Sequence, residues 1–163
     1  MRNEELQFQF EVYESVDELS ASDAEILTAA RNVTGLAYAP YSKFNVGAVA
    51  RLNTGEIVSG TNQENASYPV GICAERALLA SASMLHTNIP IDTMAVSYHN
   101  TSGGDSNKPI SPCGMCRQVL KEYEDRMGQS IRLIMSGMTG KVYIVKSAGQ
   151  LLPLSFGSTD LKG

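Results

Sequence analysis

The sequence lacks the features that would place it in several large classes of protein. No apolar run approaches the roughly 18 residues that a membrane span needs. The first segment, MRNEELQFQFEVYESVDEL, is acidic and has no apolar core, which speaks against a secretory signal peptide. Cysteine is scarce, with three residues. An odd number without a secretory signal argues against a disulfide framework and for a reducing, cytoplasmic setting. No run of lysine and arginine offsets the formal net charge of −4. A nucleic-acid partner, which favours a basic patch, is therefore disfavoured. Repeats, low-complexity blocks and interdomain linkers are absent, and only His86 and His99 offer an imidazole.

What is present reads as one α/β domain of 163 residues. In LQFQFEVY, Leu6, Phe8, Phe10 and Val12 share one face and Gln7, Gln9 and Glu11 the other, the pattern of a half-buried strand. Ser22 or Asp23 is placed to cap a helix running to about Tyr38, where Gly35 weakens it and Pro40 prevents its extension. FNVGAVARL and EIVSGTN read as a hairpin around NTGE, and a loop through QENASYPVG leads to a helix from about Cys73 to His86. TMAVSY is a further strand. It is followed by the long polar loop 99–111 and a helix from about Pro112 or Cys113 to Met127. IRLIM and KVYIVK form a second hairpin around SGMTG, and an apolar tail follows. Helices alternating with short strands and antiparallel pairs imply a layered α/β domain with a mixed sheet.

The three cysteines fall in two short stretches, GICAERALL and SPCGMCRQVL. Cys113 and Cys116 are spaced so that both sulfurs point the same way at the first turn of a helix, a common half-site for zinc. Alone, the pair could equally be a redox motif. Cys73 also falls at a predicted helix N-terminus, where the dipole favours a thiolate. Three thiolates with no fourth cysteine suit a catalytic metal site, which leaves one position to water. His86 lies too far along its helix to join them, and His99 reads as a solvated loop residue. Glu75, two residues from Cys73, is close enough to exchange protons with a water acidified by the metal. Zinc with three thiolates carries a net charge of −1, so a nearby cation would help; Arg76 is the favoured donor to thiolate sulfur, ahead of Arg117.

Cys73-Ala74-Glu75 together with Pro112-Cys113-Gly114-Met115-Cys116 is the signature of the zinc deaminases. The sequence resembles the homotetrameric, three-cysteine cytidine deaminases. The resemblance extends over AYAPYSKFNVGA, GTNQENASYPVGICAERALL, SPCGMCRQVL and LLPLSFGSTDL. It implies a three-layer α/β/α sandwich with a mixed five-stranded sheet, plus an extra N-terminal strand in this chain. Residues 1–22 would be an extension and 23–163 the catalytic domain. It implies one Zn2+ per chain on Cys73, Cys113 and Cys116, with Glu75 as the acid–base residue. It further implies hydrolysis of cytidine and 2′-deoxycytidine to the uridines with release of ammonia, a salvage reaction. By the same resemblance Asn62 and Glu64 hold the ribose 3′-hydroxyl, and Phe44 packs on the pyrimidine. Main chain at Ala74 and Ser111 reads the base edge, and Phe156 reaches a neighbouring subunit's site. The partners implied are a free nucleoside and other copies of the chain.

Competing readings are a zinc-stapled module without catalysis, a deaminase of a nucleoside-like antibiotic, and a thiol redox protein. The missing fourth cysteine counts against the first. The last leaves Cys73 and Glu75 without a role.

Overall fold

Alternation along the strands sorts the apolar residues into two layers, and a helix layer covers each. A computed structural model of the chain describes residues 1–161; Lys162 and Gly163, at the end of the expected catalytic domain, lie outside them. The strands are β1 (Glu11–Tyr13), β2 (Phe44–Leu52), β3 (Ile57–Thr61), β4 (Ile91–Asn100), β5 (Arg132–Ser136) and β6 (Val142–Val145). The helices are α1 (Ala21–Val33), α2 (Ala74–Leu85) and α3 (Gly114–Met127). The sheet runs β1-β6-β5-β4-β2-β3. Only β4 and β5 are parallel neighbours, and α3 lies in the crossover that joins them. The other pairs are antiparallel, so the sheet is mixed, with β1 added at one edge of the expected five strands.

On one face Val49, Ala95, Ile134, Val142 and Ile144 pack with Ile26, Leu27 and Ala30 of α1. On the other face Ala48, Ala50, Met94, Val96, Leu133 and Met135 pack with Leu78, Leu79 and Ala82 of α2 and Leu120 and Tyr123 of α3. Successive strand residues serve opposite layers, as pleating requires. Two glycines let the helices approach closely. A Cβ on Gly47 would overlap Ala30 O on the α1 face, and one on Gly60 would stand 2.5 Å from both Ala74 O and Leu78 N on the α2 face.

The N-terminal strand departs from its expectation in length and in facing. Only Glu11–Tyr13 is paired, against Val142–Ile144 of β6. Leu6, Phe8, Phe10 and Val12 are exposed instead of half-buried. Tyr13, on the opposite face, packs against the α1 core, so α1 covers the side of β1 that carries fewer apolar residues. Phe10 leans on Tyr143 with ring centroids 5.0 Å apart. Helix α1 also begins earlier than expected. Ser20 caps it by accepting the Asp23 N–H at 3.2 Å, and the helix gives way to a 3-10 turn over Thr34–Leu36, where Gly35 falls.

Candidate active site

Helices α2 and α3 start side by side, and a cysteine is the N-cap of each. Cys73 caps α2 and Cys113 caps α3, both in extended conformation and neither making the usual side-chain cap bond. Their sulfurs are left free to face one another at the positive ends of two helices. Cys116, one turn into α3, is fully buried beneath them. The Cys73–Cys113 and Cys113–Cys116 sulfur separations are 3.9 and 3.6 Å, far beyond a disulfide. Four tetrahedral bonds of about 2.3 Å put thiolate sulfurs about 3.8 Å apart, so the three fit one zinc ion per chain. Among the described residues no histidine or carboxylate joins this group.

Three thiols so close cannot all ionise unaided. A hydrogen bond with Cys116 is the main influence drawing Cys73 down to about 6, and the Cys116 thiol is pushed far up by Cys73 and by burial. A bound cation removes that conflict, because a coordinating thiol deprotonates outright. Glu75 is 5% exposed, and burial raises its carboxyl above the ordinary range. A carboxyl whose pKa burial raises holds its proton more readily than a free one and can return it, as a general acid–base group must.

The sulfurs and Glu75 open onto a cavity of about 380 Å³, a size suited to a small ligand. Phe44, Asn62, Glu64, Ala74 and Ser111 all line it. Phe44 is backed by buried Tyr98, with ring centroids 4.6 Å apart and planes 18° from parallel. Asn62 gives its Nδ2–H to the Phe44 carbonyl at 2.9 Å and accepts the Val46 N–H at 2.7 Å. Its amide is thus committed to the end of β2 and fixes the backbone beneath Phe44. One oxygen of Glu64 accepts the N–H groups of Tyr41 and Ser42 at 2.9 and 3.3 Å. Hydrogen bonding from Ser42 is the main cause holding its carboxyl below the usual value.

Two expected residues are placed elsewhere in the chain's own structure. Arg76 lines a groove between α2 and α3 and makes no side-chain hydrogen bond to sulfur among the described residues, though its charge helps lower Cys73. Phe156 is 59% exposed and lies outside the cavity, with its carbonyl held by Gln118. Arg117 instead ties Pro112 O to Leu151 O at 2.9 and 3.0 Å, joining the metal-binding turn to the tail. Residues without a sequence-based assignment also contribute: Tyr68, Ile110 and Met115 line the cavity, and Tyr98 supports Phe44. Alternation of Met94, Val96 and Tyr98 along β4 is the signal that would have pointed Tyr98 toward this layer.

Comparison with known proteins follows this geometry closely. Residues 20–128 match the family described as the cytidine and deoxycytidylate deaminase zinc-binding region. A cytidine deaminase of Halalkalibacterium halodurans is 33% identical over 125 residues, covering 77% of this chain and 86% of that protein. The crystal structure of a cytidine deaminase from Burkholderia pseudomallei superposes with a TM-score of 0.70 at 36% identity, covering 85% of this chain and 100% of that one. A more distant relative, a blasticidin-S deaminase of Bacillus cereus, is 29% identical over 140 residues, covering 85% of this chain and 94% of that protein.

Proposed function

Because the chain belongs to the cytidine and deoxycytidylate deaminase family, we propose that it hydrolyses cytidine and 2′-deoxycytidine to the uridines and ammonia, in pyrimidine salvage. The observation that carries this reading is the buried Glu75 beside three zinc-spaced thiols at the floor of one cavity. Zinc, when bound by Cys73, Cys113 and Cys116, makes water acidic enough to attack near neutral pH. Glu75 takes the proton of the attacking water and passes it to N3 of the cytosine as oxygen adds at C4. It then carries the second proton to the exocyclic nitrogen as the C4–N bond breaks and ammonia leaves. Main chain at Ala74 and Ser111 orients the base edge, and Phe44 covers the ring. The 3′-hydroxyl goes first to Glu64, only one of whose oxygens is taken by the Tyr41 and Ser42 N–H groups among the described residues, while Asn62 holds the strand carrying Phe44.

Arg76 offsets the charge of the thiolates, and Phe156, projecting from the surface, enters a neighbouring copy's site in a homotetramer. Residues 1–22 are an extension of the catalytic domain 23–163, and the setting is cytoplasmic.

Loss of the cytosine absorbance band on mixing cytidine with the protein tests this reading. Glu75→Gln should lower kcat about 10²- to 10⁴-fold with zinc and melting temperature retained. Near-normal turnover by that variant would remove Glu75 from the acid–base role. The likeness to a blasticidin-S deaminase favours a second reading, deamination of a nucleoside-like antibiotic such as blasticidin S. Turnover of blasticidin S with cytidine left intact would decide for it.

A further inference from the structure

Residues 101–113 form a long polar connection from β4 to α3, and it is anchored to both walls of the cavity. On one side Phe44 pairs with Asn100 at the end of the β2–β4 ladder. The next residue, Thr101, gives its N–H at 2.8 Å and its hydroxyl at 3.1 Å to the carbonyl of Lys43. Lys43 has φ +57°, a left-handed conformation uncommon outside glycine, so these two bonds hold a carbonyl the backbone does not readily present. On the other side the loop ends in Ile110 and Ser111, which line the cavity.

Between these ends the loop rests on the β5–β6 turn. Thr139 N–H donates to Ser106 O at 3.2 Å, and Asn100 N–H donates to Ser106 Oγ at 2.8 Å. A Cβ on Gly137 would overlap Ser106 O, and one on Gly140 would overlap Asn107 O. The turn is braced from behind. Arg31 of α1 donates from Nε to Gly137 O at 3.0 Å and from Nη2 to Ser136 Oγ at 3.4 Å. An uncovered polar loop would need none of this; here backbone meets backbone, which only glycine permits.

We propose that loop 101–109 is a strap that sets the separation of the cavity walls, Phe44 on one side and Ile110–Ser111 on the other, with Gly137 the positioning residue on which it seats. The inference rests on reading this cavity as the nucleoside site. Holding both walls before substrate arrives removes an ordering cost from binding, so loosening the strap acts on affinity more than on the chemical step. The atoms nearest a Cβ on Gly137 belong to Ser106 and Asn107, not to the cysteines or Glu75.

Gly137→Ala and Thr101→Val are the informative variants, with Gly55→Ala as control. Gly55 has φ +89° in the β2–β3 turn, far from the cavity, and nothing lies near its added Cβ. Gly137→Ala should raise KM for cytidine roughly three- to tenfold, keep kcat within about twofold, and keep one zinc per chain. Amide hydrogen exchange should quicken over 42–46 and 106–111. Thr101→Val should do the same to a smaller degree, and the double variant should raise KM by less than the product of the two, because both loosen one strap. Gly55→Ala should lower melting temperature alone. The proposal is overturned if Gly137→Ala behaves like Gly55→Ala in KM and in exchange, or if the two strap variants combine independently. Should Gly137→Ala not fold, Thr101→Val decides by the same readouts. If the unaltered protein leaves cytidine intact, the nucleoside reading fails by itself. Exchange over the two walls then decides for or against the strap.

Discussion

On the α1 face of the sheet a helix backbone settles onto Gly47, and on the opposite face another settles onto Gly60. The packing device is the same, and each lies in an apolar cover, of Ile, Leu, Val and Ala on the α1 face and with Met and Tyr added on the other. The residues at the helix starts differ. α1 begins from Ser20, which satisfies its own helix by accepting the Asp23 N–H. α2 begins from Cys73, which leaves that duty undone and points a thiol at its counterpart on α3. A sheet flanked by helices thus gains a reactive centre at little cost to the fold, by replacing caps on one face only. Stability is shared by both faces, and chemistry is confined to one.

The largest effect expected from this contrast is at Cys113. Cys113→Ala should bind no zinc and show no turnover. It should also lose the stabilisation that bound metal supplies, about 4 kcal/mol when free zinc exceeds Kd a thousandfold. Chelator should lower the melting temperature of the unaltered protein toward that of the variant and leave the variant's unchanged. On the α1 face Ile26→Val should cost about 1 kcal/mol with zinc content and kcat intact. A zinc-loaded Cys113→Ala protein would break the contrast at its centre.

A finer division is expected between the two glycines. Gly47→Ala and Gly60→Ala should each cost about 1–3 kcal/mol, since the added methyl meets helix backbone that must shift. Only Gly60→Ala should also slow the reaction, because Ala74 O and Leu78 N belong to the turn that holds Cys73 and Glu75. Steady-state kinetics beside thermal melts separate the two. Equal losses of kcat in both variants would mean the faces are not separable.

How far the sequence foretold this arrangement follows from the range of each interaction. The candidate metal centre was legible because Cys113 and Cys116 are spaced within one helix start, and Cys73 stands at another with Glu75 two residues on. The six strands and three long helices were legible from periodicity, and the resemblance to five-stranded cytidine deaminases marked the N-terminal strand as the extra one. That strand's facing was not, because alternation shows two faces without saying which one a distant helix covers; α1 lies over Tyr13 and leaves Phe8 and Phe10 outside. Tyr98 behind Phe44 and the seat of the β4–α3 loop on Gly137 join residues remote in sequence; alternation along β4 gives the layer of Tyr98, but no local pattern gives either contact. Asn62 and Glu64 share a face as their spacing suggests. Only the structure shows that both ends of the Asn62 amide are engaged with β2, while the Tyr41 and Ser42 N–H groups share one oxygen of Glu64.

Glu64 gives the smallest effect and the most demanding test, because a candidate substrate contact there also ties two parts of the chain. Its carboxylate accepts the Tyr41 and Ser42 N–H groups, and hydrogen bonding holds its pKa below the unfolded value. A depressed carboxyl contributes stability that is fully present above the unfolded pKa and is lost as pH falls through the folded one. The unaltered protein should therefore lose a small increment of melting temperature as pH drops below about 4.3. Glu64→Gln keeps an oxygen to accept the same N–H groups but has no charge to titrate, so its melting temperature should lack that acid-side increment. Near neutral pH the two should melt almost together, since the group is only partly buried and solvent screens it. Binding should separate them, with KM for cytidine raised about tenfold as a charged hydrogen bond to the 3′-hydroxyl becomes a neutral one. 3′-Deoxycytidine, which lacks that hydroxyl, should be handled alike by both proteins. Discrimination against it that persists in Glu64→Gln would move the ribose contact back to Asn62 and make Glu64 a tie between loops alone.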